Sequence, residues 1–317
     1  MSAVGVDVSE PFSTVLKSLR GRTIEFHHVR ALLIDRFEAQ TILDAVESGC
    51  AWVSPDLGLS TTEARIERER VSIMGTEIDL EELRRVVEST TVFAAYGGGL
   101  EPLAIFSEFS NMFCRLRSVA PRRPPTVEIG GVHMHRIEGC DPLEDTRAKV
   151  SALGRRLRGL VLDTCMGLGY TAIEALKRGA FAVVTIEIDP AIIALAQLNP
   201  WSRPLATAST ARRAAVVLGD SISIVKSLPS EVFDYVIHDP PRFELAGELY
   251  SEEFYRELFR VAKPGAKIFH YTGEPGKHGG PSIVKGVKRR LEAAGFVQVR
   301  WVDSAKGFVA LRPGSQR

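Results

Sequence analysis

Cysteine is scarce in this chain: Cys50, Cys114, Cys140 and Cys165 are the only four in 317 residues, and no two form a C-x-x-C pair. The scatter excludes a zinc site built on thiolate pairs and gives no disulfide framework. Histidine spacing is not diagnostic of a metal centre either, so no metal is expected. An uninterrupted apolar run near the roughly 20 residues of a membrane span is missing. Asp7 and Glu10 stand where a secretion signal would be basic and then apolar, which predicts a cytoplasmic protein with no membrane partner. Internal repeats and low-complexity segments are lacking too. Charge of one sign is not in excess overall, the formal net being +1. The distribution is uneven, however: Met1–Val150 carries 17 Lys/Arg against 23 Asp/Glu, and the remainder 23 against 16. A basic second half suits an anionic partner such as RNA, and equally suits ordinary solvated helix faces.

What is present is enough apolar material, 45%, for two proper cores. The first half reads as α+β. Arg36–Ser48 has helical spacing and stops at Gly49. Ala51–Ser60 and Glu63–Ile73 alternate as paired strands do, and Asp79 with Glu82 predicts a capped helix over Leu80–Glu88. Strand-like runs follow at Thr91–Ala95, Pro102–Ser107, Met112–Val119 and Thr126–Ile137. The turn Glu138–Pro142 and a helical stretch Leu143–Leu157 then open a regular strand and helix alternation. We therefore expect an α/β protein, with an α+β accessory domain over residues 1–140 and a Rossmann-like domain over 141–317, closed by an antiparallel hairpin (Val297–Val302, Gly307–Leu311).

Ligands of such sheets bind beyond the carboxyl ends of the strands. The apolar strand Leu160–Leu162 runs into Asp163-Thr164-Cys165-Met166-Gly167-Leu168-Gly169-Tyr170, a glycine turn before a helix over Tyr170–Lys177. Gly167 and Gly169 permit backbone geometry and close approach that a Cβ blocks, and the helix start at Tyr170 offers N–H groups to an anion. Cys165 fits as a compact loop residue. The pattern Gly167-x-Gly169-x-x-Ala172, with Glu187 about 18 positions on, also matches the dinucleotide fingerprint. Glu187 at its strand end suits two ribose hydroxyls; Asp189 suits the cap of the next helix. Asp220, with Ser221 and Ile222, follows a third strand and fits either an adenine contact or the N-cap of a helix over Ser221–Leu228. Asp239 follows a fourth, in His238-Asp239-Pro240-Pro241-Arg242-Phe243, where two prolines fix two φ angles and aim a rigid acceptor at a substrate.

His238 and His270 close successive strands; each suits either proton handling or loop hydrogen bonds, as does Tyr271 beside them. His133 and His135 alternate on one expected strand and share a face. Lys277, Lys285, Lys288, Arg289 and Arg290 form a basic cluster that reads as a phosphate grip or a solvated helix face. Tyr250, Phe254 and Tyr255 read as stacking or packing residues.

In order, these motifs resemble those of class I S-adenosylmethionine (SAM)-dependent methyltransferases. D-T-C-M-G-L-G-Y-T-A, L-N-P-W-S (Leu198–Ser202), H-D-P-P-R-F, A-G-E-L-Y, F-Y-R-E-L and F-H-Y-T-G together resemble an archaeal family of predicted methyltransferases of unassigned substrate, with relatives in plants, across most of Gly130–Phe296. The resemblance implies SAM as cofactor, bound by Asp163, Cys165, Gly167, Gly169, Tyr170, Glu187, Asp220, Ser221 and Asp239. It implies Asp239 and Arg242 at the acceptor, with His238, His270 and Tyr271 as proton-handling candidates. Arg242 departs from the Asp/Asn-Pro-Pro-aromatic motif of amine methyltransferases. D-P-P-R also occurs in RNA uracil-5 methyltransferases, but their cysteine after the next strand is missing here, leaving only Cys165 or Cys114 to reach the site. The leading expectation is a methyltransferase acting on RNA, with a small-molecule amine as the other acceptor class. The alternative is a polyamine aminopropyltransferase using decarboxylated SAM, whose usual second acid in this loop is reduced here to the more distant Glu244.

Overall fold

The computed structural model describes residues 9–273 and 280–314; Lys277 of the basic cluster lies outside them. The chain folds as two compact units, one of residues 1–26, 146–188 and 205–317, the other of residues 27–145 and 189–204. Each unit thus takes more than one stretch of chain.

The first unit is built on an eight-stranded sheet. Its strands are β1 (Thr23–Ile24), β2 (Leu160–Asp163), β3 (Ala182–Glu187), β4 (Ala214–Leu218), β5 (Phe233–His238), β6 (Ala262–Tyr271), β7 (Val297–Val302) and β8 (Gly307–Leu311), in the spatial order β1-β4-β3-β2-β5-β6-β8-β7. The central strands β4, β3, β2, β5 and β6 are mutually parallel, and β8 and β7 close the sheet as the expected antiparallel hairpin. Every residue of β2 and β3 is buried, as parallel strands covered on both faces require.

Residues before β2 contribute as well. Helix α1 (Ser9–Ser18) sends Phe12 and Val15 into the core with Leu19, a one-sided spacing, and β1 pairs antiparallel with β4. That pairing satisfies the outer backbone groups of β4, which would otherwise form an open edge. The helices that matter for the site are α2 (Pro142–Ser151), α3 (Tyr170–Lys177), α4 (Ser221–Ser227), α5 (Glu252–Val261) and α6 (Gly280–Ala293). Helix α2 is shorter than the expected Leu143–Leu157 because the chain turns at Gly154, whose φ is +148°.

In the second unit the strand Thr62–Glu67 pairs with Cys50–Val53 and with Arg70–Ile73. The run Glu63–Ile73, expected to alternate as a paired strand, is itself a hairpin, turned at Arg68 with φ +54°. The helix Leu80–Val87 forms, but not by the expected cap. The Asp79 side chain makes no cap hydrogen bond and pairs instead with Arg70 at 2.9 Å, while Glu82 accepts from the Leu100 N–H at 3.4 Å. The run Thr126–Ile137 breaks at Gly130-Gly131, so His133 ends a short strand and His135 lies beyond it, its Nδ1 2.8 Å from the Thr126 hydroxyl. The two histidines therefore do not share a strand face. The helix Pro190–Leu198 starts as expected, the Asp189 carboxylate accepting from the Ala191 N–H.

Candidate functional site

The carboxyl ends of β2, β3, β4, β5 and β6 present Asp163, Glu187, the Gly219-Asp220 turn, His238-Asp239 and His270-Tyr271 in one row. Parallel register sets this row: Asp163 lies opposite Thr185 and Ile237, and His238 opposite His270.

Asp163 is fully buried. Its Oδ2 accepts from the hydroxyls of Thr185 (2.7 Å) and Thr171 (3.0 Å), whereas Oδ1 has no hydrogen-bond partner among the described residues. Burial pushes its carboxyl up to about 7, against the two threonine bonds and with help from Asp239 and Glu187. The three acids therefore sense one another as a cluster. An unpartnered buried acceptor is costly, so this oxygen marks where a donor belongs.

Glu187 holds the glycine turn: one oxygen accepts from the Gly167 N–H and the other from the Ile188 N–H, both at 2.9 Å. Gly167 has φ +52° and nothing within 4 Å of where a Cβ would stand, so the turn opens onto free space. Gly169 has φ +77°, and a Cβ there would lie 2.7 Å from Leu205 Cδ2. Gly167 thus leaves room for a ligand, and Gly169 serves tight packing at the start of α3. Tyr170 contributes no side chain to that space, being packed in the interior at 2% exposure. Burial pushes the Cys165 thiol well up, away from thiolate chemistry; Cys114 is buried in the other unit.

Asp220 takes the capping role, accepting from the Ile222 N–H (3.3 Å) and the Ser223 N–H (3.0 Å) at the start of α4. The Ser221 hydroxyl donates to the Thr164 carbonyl, tying the β4 loop to the β2 loop.

The two histidines are neighbours, with ring centroids 4.4 Å apart, but both are fully buried. His238 has both nitrogens occupied: Nε2 donates to the Leu249 carbonyl at 2.9 Å, so Nδ1 is the acceptor for the Thr164 hydroxyl at 2.7 Å. Burial lowers it to about 3, which fixes the neutral ring. His270 is also driven down by burial, and its Nε2 sits 2.6 Å from the Tyr255 hydroxyl. Proton handling at a ligand is thus not what this arrangement offers; the pair orients loops and fills the core with Phe254 and Tyr255. Tyr250 likewise packs inside, its hydroxyl donating to the Pro241 carbonyl at 2.8 Å. These aromatic rings are core, not a stacking platform.

Asp239 has a partner absent from the sequence argument. Lys149 on α2, only 1% exposed, places Nζ 3.0 and 2.8 Å from the two Asp239 oxygens, and 4.0 Å over the Tyr271 ring. The signal was the polar stripe Asp145, Thr146 and Lys149 on one helix face, all three buried. Arg242 is half-buried three residues past Asp239, and its guanidinium has no hydrogen bond or ion pair among the described residues. Of the C-terminal basic cluster, Lys285, Lys288 and Arg289 are exposed on α6, as a solvated face. Among the described residues no group of three or more His, Cys, Asp or Glu is placed to hold a metal ion, and no helix is long and apolar enough to cross a membrane.

Comparison with known proteins places this geometry. The family model described as conserved hypothetical protein 95 matches residues 147–258. An uncharacterized protein of Methanocaldococcus jannaschii is 51% identical over 196 residues, 62% of this chain and 66% of that protein. Polyamine aminopropyltransferase 2 of Streptomyces coelicolor is 31% identical over 177 residues, 54% of this chain but only 31% of that enzyme. A crystal structure of spermidine synthase in complex with the transition-state analogue AdoDATO superposes with a TM-score of 0.50 at 17% identity, covering 66% of this chain and 71% of that one. The fold is therefore the mixed α/β fold of the spermidine-synthase type, with a central sheet and an N-terminal β domain. The methyltransferase reading is corrected by the same findings: the relatives with a named activity are aminopropyltransferases, so the chemistry weighed second in the sequence is the better supported. RNA as acceptor goes with it.

Proposed function

We propose that the protein is a transferase that moves the aminopropyl group of decarboxylated SAM to an amine. The observation that carries this is the row of acids Asp163, Glu187 and Asp239 at neighbouring strand ends, taken with the similarity to aminopropyltransferases over the same segment. When bound, the donor supplies a sulfonium-activated propyl carbon and two positive charges with no carboxylate. The chain's residues fit it: Asp163 Oδ1, buried and unpartnered, is suited to the donor's ammonium. Glu187, fixed at the end of β3 by two N–H groups, is placed to accept from the ribose hydroxyls. The open space at Gly167 admits the nucleoside beside the start of α3.

On the acceptor side the D-P-P loop presents Asp239 as a carboxylate held by Lys149, which positions the loop and does not take the proton. The acceptor enters as its free amine, its nitrogen forms a bond to the propyl carbon, and the surplus proton stays on the product ammonium until it passes to water. The carbon–sulfur bond breaks with its electron pair going to sulfur, which leaves as a neutral thioether.

The test is direct. Purified protein is incubated with amines and either decarboxylated SAM labelled in the aminopropyl chain or SAM labelled in the methyl group. Label transfer with release of 5′-methylthioadenosine is the expected result. Methyl transfer with release of S-adenosylhomocysteine, and none of the former, refutes the reading.

A further inference from the structure

A lysine ammonium is almost never fully buried unless paired, and Lys149 is paired with unusual completeness. It meets both oxygens of Asp239 and lies against the face of Tyr271. A carboxylate held this way carries no net field for a second ammonium. Arg242 adds an unpaired positive charge three residues further on. Against the Asp239 carboxylate thus stand two cations, Lys149 from α2 and Arg242 from the loop itself, while Glu244 and Glu248 farther along the loop are exposed to solvent. A site that grips a polycation needs the reverse, an excess of carboxylates.

Resting on the aminopropyl-transfer reading, we propose that the acceptor is a primary amine carrying its own carboxylate, received by Arg242, and not a bare diamine or polyamine. Lys149 is the residue that determines this specificity. By occupying Asp239 it removes the attraction that would draw a second ammonium into the loop, while Arg242 rewards an acceptor that brings a negative charge. Tyr271 holds the ammonium over its ring and so keeps Lys149 from swinging aside.

The experiment uses the full chain, decarboxylated SAM and two acceptors of equal length, 1,4-diaminobutane and 4-aminobutanoate, with kcat/KM read from methylthioadenosine release. The wild type favours the aminocarboxylate. Lys149→Met uncovers Asp239 and shifts the ratio toward the diamine by about tenfold to a hundredfold, the scale of one charge removed at close range. Lys149→Arg keeps the charge and the wild-type preference, which a merely structural lysine would not predict. Arg242→Met, at a half-buried position whose guanidinium makes no hydrogen bond or ion pair among the described residues, lowers aminocarboxylate turnover by about tenfold more than diamine turnover. A wild type that prefers the diamine, or a Lys149→Met variant that lowers both acceptors equally, overturns the proposal and leaves aminopropyl transfer standing. Absence of methylthioadenosine with every acceptor, although the donor binds by calorimetry, sinks the transfer reading itself.

Discussion

Asp163→Asn separates the electrostatics of the site from its packing. In the folded protein the carboxyl is pushed from 3.8 up to about 7, chiefly by burial. Between these values the native state binds more protons than the unfolded chain, so stability falls as pH rises through the window and levels off above about 7. From pH 5 to pH 8 the loss attributable to this group integrates to about 2–3 kcal/mol. The asparagine variant keeps an oxygen for the Thr171 and Thr185 hydroxyls but places an amide nitrogen where Oδ1 has no partner, which costs about 1–3 kcal/mol at any pH. The pH-dependent difference is therefore the informative quantity. Urea unfolding of both proteins at pH 5 and pH 8 measures it, because other titrations cancel between them. The variant gains about 2–3 kcal/mol relative to the wild type on going to pH 8. Parallel stabilities across the range, within about 0.5 kcal/mol, refute the assignment of a buried, strained carboxylate. Titration of decarboxylated SAM gives a second reading: wild-type affinity rises with pH as Asp163 ionises, and the variant's does not.

His238, lowered to about 3, stays neutral with its proton on Nε2 from pH 5 to pH 8, and the imidazole nitrogen shifts in a long-range ¹⁵N spectrum stay fixed over that interval. For a buried histidine lowered in this way, stability is lost as pH falls from the unfolded value of 6.5 toward 3, so His238→Phe flattens the acid limb of the unfolding curve. Thr164→Val removes the donor to His238 Nδ1 and costs about 1–3 kcal/mol in urea unfolding without changing the acceptor preference. Gly169→Ala, forced into φ +77° and against Leu205, costs about 2 kcal/mol or more and lowers the melting temperature by several degrees. Asp79→Ala is nearly silent, within about 0.5 kcal/mol, because its pair with Arg70 is exposed and no cap is lost.

The alternation of apolar strands with helices made the central sheet legible, down to the strand ends that carry Asp163, Glu187 and His238. Each such end is announced locally by an apolar run stopping at a polar residue. What failed needed contacts distant in sequence. Asp79 and Glu82 have the capping spacing, yet Arg70 and the Leu100 N–H compete for them across paired strands, and that competition wins. For His238 and His270 the sequence left proton handling and loop hydrogen bonds equally open; only the fold decides between them, with Leu249, Thr164 and Tyr255 closing around the rings. Helix α1 and β1 were unreadable as parts of the unit built on the eight-stranded sheet because nothing in residues 9–24 names a partner about 190 residues away. Activity turned on a finer point. The acids proposed to face the donor suit either sulfonium nucleoside, so they did not tell methyl from aminopropyl transfer.

The two ends of the candidate site obey opposite charge logic, and this explains why Lys149 is buried at all. At Asp163 an uncompensated carboxylate raises the cost of the empty state, a cost a cationic donor relieves on binding. At Asp239 the same strategy would place a second bare carboxylate beside the first, and Asp163 already registers the presence of Asp239 and Glu187. An internal lysine reduces that repulsion without water. Breaking a buried pair of this kind typically costs about 3–5 kcal/mol because it strands one charge. The cluster therefore keeps one acid open for the donor and one acid closed by the chain itself. Double substitution tests the coupling: Lys149→Met should raise the Asp163 carboxyl further, and adding Asp239→Asn should bring it back below the wild-type value. Wild-type-like titration of Asp163 in the single variant would show that the two ends do not communicate.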